Sequence, residues 1–299
     1  MDKKYGIIGY RFGFGGYKAG AEYGPDTLRG VKLVERLKAL GKDVSDLGST
    51  DLNFNSQSAC RNNIKNHDNV AAALRDINSR TKSALEAGYF PIILGGDHTV
   101  SLGTYSAFKS HYAGKKIGLL WIDTHPDLNT PETTTSKNAH GMTIAFLTGI
   151  APTPLIPEFP QSPLDFKQIV YVGLRDIDAP EKELIRKHNL TAYTMKDVDY
   201  HGAGKIMDQA LSQVMQGTEG FIVSFDLDAV DPALAPGTGT PIRGGLTYRE
   251  SHLMVEMCYE TGKMLGFELV ELNPSLDIND QTADFGASLI ESAVGKSIM

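Results

Sequence analysis

Short apolar runs alternate with segments of helical period from one end of this sequence to the other. The runs at 5–9, 90–94, 117–122, 169–172, 220–225 and 264–270 read as strands. Several are apolar throughout, as parallel strands buried on both faces tend to be. Between them, 26–40 places Leu28, Val31, Val34 and Leu37 on one stripe and meets a stop at Gly41. Residues 68–87 repeat the pattern with Val70, Ala73, Leu74, Ile77, Ala84 and Leu85, then Gly88. Leu102, Tyr105, Phe108 and Tyr112 mark a third helix. Thr247 and Glu250 form a capping box ahead of Leu253, Met254 and Met257. This rhythm predicts an α/β fold of three layers, with a mostly parallel sheet between two layers of helices.

At 299 residues the chain is long enough for a large core. The alternation is unbroken, so a single domain over 1–299 is expected rather than the two that length alone suggests. The one Pro-rich stretch, 152–163, holds five prolines and reads as an excursion loop. The formal net charge of −7 argues against general binding to nucleic acid or to an anionic membrane. No apolar run is long enough to span a bilayer, and MDKKYGIIGY runs into the first strand without the pattern of a signal peptide. Two cysteines make no disulfide framework, so a cytoplasmic protein is expected.

The ionisable residues collect directly after the strand candidates. Gly95-Gly96-Asp97-His98 follows the run at 90–94, and Asp123-Thr124-His125-Pro126-Asp127 follows 117–122. Asp226-Leu227-Asp228 follows 220–225, Arg175-Asp176-Ile177-Asp178 follows 169–172, and Glu271 follows 264–270. Ligands of open α/β sheets bind outside the carboxyl ends of the strands. In extended chain, alternate residues share a face, so Asp123, His125 and Asp127 project together, as do Asp226 and Asp228. Each aspartate taken alone could equally be a turn former.

Four carboxylates cannot converge without a counter-charge. Like charges ~4 Å apart repel by roughly 4 kcal/mol at an effective dielectric of 20. The three segments contain no lysine or arginine, which points to divalent cations. Six side chains (His98, Asp123, His125, Asp127, Asp226 and Asp228) suit two ions with shared carboxylates. Mostly oxygen ligands with some imidazole favour Mn²⁺. With a hydroxide added, such a site carries a net negative charge and welcomes a cationic substrate.

These three motifs, with Ser224-Phe225 before the third and Asp231-Pro232 after it, resemble the signatures of the ureohydrolases. That family holds arginases, agmatinases and formimidoylglutamases. The resemblance runs from about Gly6 to the C-terminus and is closest to the arginase branch. It is carried there by Asn129-Thr130-Pro131, Thr133 to Ser136, Asn138 to Gly141, Gly173 to Asp178, Gly237 to Pro241 and Glu271 to Pro274. Three positions depart from the pattern: Thr124 stands where alanine is commoner, Pro126 is unusual, and Lys137 replaces a glycine. Lys137 adds positive charge near the end of the site expected to bind a carboxylate.

The resemblance implies that His98, Asp123, Asp127 and Asp226 hold one Mn²⁺. His125, Asp123, Asp226 and Asp228 would hold the other. A metal-bridging hydroxide would hydrolyse L-arginine to L-ornithine and urea. Glu271 would orient the guanidinium, and His140, with an ordinary pKa near 6.5, would pass a proton to the leaving amine. Asn129 and Ser136 would bind the α-carboxylate and Asp178 the α-ammonium, with Thr240 lining the site. A homotrimer or homohexamer is implied on the same ground. The alternatives are an agmatinase or other guanidino hydrolase, a two-metal phosphoesterase, and a non-catalytic homologue.

Overall fold

A computed structural model describes residues 3–52, 58–151, 155–156 and 163–299. Its centre is an eight-stranded sheet, parallel at every pairing. The strands are β1 (Lys4–Gly9), β2 (Asp43–Ser49), β3 (Tyr89–Leu94), β4 (Gly118–Ile122), β5 (Ile169–Leu174), β6 (Thr191–Thr194), β7 (Phe221–Asp226) and β8 (Met264–Val270). Their order is β2-β1-β3-β8-β7-β4-β5-β6. The six expected strands all form, within two residues of their expected ends. The expected three layers form with them. Alternate residues of β4 divide between two cores: Leu120 and Ile122 enter one, Leu119 and Trp121 the other. Both faces are therefore dry, which is why these strands read as unbroken apolar runs.

One face is covered by α1 (Gly24–Gly30), α2 (Leu33–Ala39), α7 (Met195–His201), α8 (Ala203–Val214), α9 (Tyr248–Glu260) and α10 (Gln281–Ala293). The other is covered by α3 (His67–Glu86), α4 (Val100–His111), α5 (Thr143–Thr148) and α6 (Ala179–Lys187). The capping box at Thr247 forms as expected, with Thr247 Oγ1 accepting from Glu250 N at the start of α9.

Two expectations change. The helix at 26–40 is two helices, broken where Lys32 turns to φ 62°. The first helix ends at Gly30 and the second begins at Leu33, with Lys32 between them in the left-handed region, yet the apolar stripe continues across the break and hides it. Strands β2 and β6 were not expected. Both are edge strands with only half-buried side chains or a mixed pattern, so neither shows an apolar run. Most of the Pro-rich loop at 152–163 lies outside the described residues; within it, Leu155 and Ile156 are buried in the core.

The topology places the site. Strands β3 and β4 send their chains to α4 and α5 on one face. Their neighbours β8 and β7 send theirs to α10 and α9 on the opposite face. Connections that part in this way leave a crevice above the carboxyl ends of the four central strands.

Candidate active site

Glycine brings the first motif into the crevice. Gly95 N donates to Leu269 O and Gly96 N to Tyr10 O, while Glu271 N donates to Gly96 O. A Cβ on Gly96 would collide with the carbonyl oxygen of Phe12. This seam holds β1, β3 and β8 together and delivers His98, fully buried, under the crevice floor.

The expected ligands converge, but not through extended alternation. β4 ends at Ile122, and Asp123 Oδ1 closes a tight turn by accepting from His125 N at 2.7 Å. Asp226 ends β7 and its Oδ1 accepts from Asp228 N at 2.8 Å, capping a single helical turn. Both aspartates are thus turn formers and site residues at once. Their other oxygens point at His98 Nδ1, 3.1 Å from Asp123 Oδ2 and 3.0 Å from Asp226 Oδ2. Asp127 Oδ2 lies 3.5 Å from the same nitrogen. Asp127 reaches it from a left-handed backbone of φ 48°, and Glu271 sits at φ 64°. Non-glycine residues held in this region store strain that clusters at functional sites.

Two ligand groups result. His98, Asp123 and Asp226 form the inner one; Asp123, His125 and Asp228 form the outer one, with His125 Nδ1 3.2 Å from Asp228 Oδ2. Asp123 belongs to both. Three buried atoms here, His98 Nδ1, Asp123 Oδ2 and Asp228 Oδ1, have no hydrogen-bond partner. Buried polar atoms are nearly always satisfied, and these three are the donor atoms a cation would take. The residues fit a divalent metal centre.

The electrostatics agree. Burial, then the neighbouring Asp228 and Asp123, pushes the Asp226 carboxyl well above its ordinary range. Burial and Asp123 do the same to Asp127. Burial opposes the charged form of His98, yet Asp123 and Asp226 hold its imidazole pKa above the usual value. A cation would relieve the repulsion and replace that proton.

Above the ligands lies a cavity of about 140 Å³. Asn129, Ser136, Asp178 and Thr240 all line it, as do Asp127 and His140. Glu271 is buried beneath, its Oε1 accepting from His98 N at 2.8 Å and lying 3.1 Å from His140 Nδ1. Although burial works against it, this contact raises the His140 pKa above its ordinary value, a correction to the near-6.5 value expected from sequence. Asn129 Nδ2 donates to Asp178 Oδ2 at 2.9 Å and its Oδ1 accepts from Thr133 Oγ1, so the two ends of the expected amino-acid site are tied together. Thr240 Oγ1 donates to Asp228 Oδ2.

The departures from the family pattern have local explanations. Thr124 Oγ1 donates to Asp228 O at 2.7 Å, and Pro126 O accepts from the Tyr171 hydroxyl. Lys137 has φ 62°, the conformation for which glycine is the easy choice. Its side chain is exposed.

Three members of the site carry no role in the sequence reading, and one of them, Glu181, is not singled out by it at all. Glu181 lines the cavity, with Oε1 accepting from Leu128 N and Oε2 from Asp178 N. Burial lifts its pKa to about 7. Its signal was legible, since Asp178-Ala179-Pro180-Glu181 has the spacing of a helix start. Arg175 braces the outer group by donating to the carbonyls of Asp228, Ala229 and Ile242. Asp97 accepts from Gly15 N at 2.7 Å, and burial raises its pKa to about 7.

Comparison with known proteins agrees with this geometry. The sequence matches the Arginase family over residues 3–295. An arginase of Staphylococcus aureus (strain MRSA252) is 36% identical over 308 residues, covering 100% of both chains. The native structure of arginase from Bacillus caldovelox superposes with a TM-score of 0.93 at 35% identity, over 99% of this chain and 100% of that one. The arginase of Entamoeba histolytica, solved in complex with L-ornithine, gives 0.90 at 27% identity, over 99% and 100%. Shared sequence, fold and ligand cluster coincide along the whole chain, and it belongs to the arginase family.

Proposed function

We propose that this protein hydrolyses L-arginine to L-ornithine and urea, as a single catalytic domain over 1–299 working with two Mn²⁺. The observation that carries the reading is the pair of ligand groups sharing Asp123, set beneath a cavity whose lining, among the described residues, has no lysine or arginine. His98, Asp123, Asp127 and Asp226 would hold one ion; His125, Asp123, Asp226 and Asp228 would hold the other. Bound divalent cations lower the pKa of water and supply hydrolytic chemistry near neutral pH.

The chain's own residues do the rest. Six carboxylates line the cavity (Asp127, Asp176, Asp178, Glu181, Asp226 and Asp228), so a guanidinium is drawn in. Oε1 of Glu271 is committed to His98 N and His140 Nδ1, which leaves Oε2 to pair with the guanidinium and orient it. Burial opposes the charged form of His140, but the contact with Glu271 holds its pKa above the ordinary histidine value, as suits a proton donor. Because Nδ1 faces Glu271, Nε2 is the nitrogen that delivers a proton to the leaving amine. Asn129 spends one Nδ2 hydrogen on Asp178 and keeps the second for the α-carboxylate, joined by the Ser136 hydroxyl. Asp178 takes the α-ammonium, and Thr240 steadies Asp228 at the cavity wall.

A two-metal phosphoesterase would want arginine or lysine side chains or free backbone N–H groups for phosphate, and the acidic lining opposes it. Agmatine has no carboxylate for Asn129 and Ser136 to hold, which disfavours an agmatinase. We infer a cytoplasmic homotrimer or homohexamer from the sequence and its family resemblance alone; among the described residues no helix is long and apolar enough to cross a membrane. Urea release from arginine and from agmatine, compared at equal concentration, tests the substrate. Faster release from arginine is expected; preference for agmatine refutes the reading.

A further inference from the structure

Behind the inner ligand group lies a buried chain of hydrogen bonds that the reaction does not use. His98 Nε2 is 2.8 Å from Ser224 Oγ, which is 3.0 Å from Ser101 Oγ. Ser101 Oγ donates to Glu268 Oε2 at 2.5 Å, and Thr104 Oγ1 donates to Glu268 Oε1. All five residues are 0–1% exposed. The sheet register builds the chain: Ser224 of β7 and Glu268 of β8 are direct partners across the two strands. Ser101 and Thr104 lie one turn apart on α4, above them. Glu268 interrupts an otherwise apolar strand and is flanked by no lysine or arginine on β8.

The chain has a direction. Each serine hydroxyl has one proton to give. Ser101 gives its proton to Glu268, so toward Ser224 it can only accept. Ser224 therefore gives its proton to Ser101 and can only accept from His98. The proton of the imidazole must then sit on Nε2, and the lone pair on Nδ1, which is the nitrogen aimed at Asp123 and Asp226. Trp121, stacked on the ring at 3.8 Å and 5°, holds its plane.

We propose that Glu268 is a positioning residue for the inner metal group. Acting through Ser101 and Ser224, it fixes the tautomer of His98 that presents Nδ1 to a divalent cation. The inference rests on the metal reading above and adds to it a residue remote from the ligands. Partners of this kind change metal affinity by about 10–100-fold when removed.

The test titrates metal-free protein with Mn²⁺ and reads free Mn²⁺ by electron paramagnetic resonance. His125→Asn leaves the inner group to be titrated, and His98→Asn leaves the outer one. Glu268→Leu is expected to weaken Mn²⁺ binding about 10–100-fold in the His125→Asn background and to leave the His98→Asn background unchanged. Ser101→Ala, a smaller change, breaks the chain one link nearer and is expected to give the same selective loss, without adding to that of Glu268→Leu. Equal weakening in both backgrounds would mean that Glu268 merely supports the fold and would overturn the proposal. So would unchanged binding in both variants. If the unmutated protein bound no Mn²⁺, the metal reading itself would fall, and this inference with it.

Discussion

The two ends of the sheet each carry a hollow lined with charge, and the contrast between them shows what marks a site. At the amino end, Lys3, Lys42, Asp43 and Glu260 surround a cavity of about 490 Å³. At the carboxyl end the cavity is about 140 Å³. The larger hollow holds charges of both signs, and its lysines lie over aromatic rings, Lys3 on Phe90 at 5.0 Å and Lys42 on Tyr259 at 5.7 Å. The smaller one sits on buried carboxylates of one sign, with three donor atoms left unpaired. Size therefore points to the wrong end. Uncompensated buried charge, which a fold tolerates only for a ligand, points to the right one.

Substitutions at the two ends should differ in proportion. The largest effect is expected from Asp123→Asn, since Asp123 belongs to both ligand groups. Loss of more than ~10²-fold in urea release, beyond the usual cost of an outer partner, should accompany a fall in bound Mn²⁺ measured by atomic absorption. Retention of full metal and activity would erase the contrast. His140→Asn comes next, with kcat lower by about 10²–10⁴-fold and Mn²⁺ content unchanged.

The pH profile sharpens this second effect. Because Glu271 raises the His140 pKa, the protonated acid persists above the ordinary histidine range and is lost as pH rises through the raised value. Activity should fall on that alkaline limb. In Glu271→Gln the residual activity should fall at lower pH; a limb that does not move would separate His140 from proton delivery. Asn129→Ala should raise KM for arginine about tenfold, the equivalent of one hydrogen bond, with little change for agmatine. At the other end, Lys42→Ala should leave kcat, KM and metal content alone. It should cost at most about 1 kcal/mol in a denaturation curve, the scale of an exposed cation–aromatic contact.

Much of this was legible in the sequence, and the remainder was hidden for physical reasons. Strands buried on both faces announce themselves as apolar runs, so β3, β4, β7 and β8 and the ligands at their ends could be read directly. Edge strands β2 and β6 meet solvent and lose that signal. The break at Lys32 was invisible because the stripe of Leu28, Val31, Val34 and Leu37 spans it. Convergence of the aspartates was expected for the wrong reason: turns closed by Asp123 Oδ1 and Asp226 Oδ1 bring them together, rather than strand alternation. Glu268 was passed over although a lone carboxylate within 264–270 is itself anomalous. Its partners are a strand and a helix away, and periodicity carries no record of them. The positive φ values at Asp127 and Glu271 likewise belong to tertiary packing, since neither residue type demands them.

The account turns on metal as the reason for the buried carboxylates, and one reconstitution measures that directly. Protein stripped with a chelator should release no urea from arginine. Stepwise addition of Mn²⁺ should restore release and saturate at two ions per chain. Activity that survives the chelator, or returns without metal, would contradict the central claim.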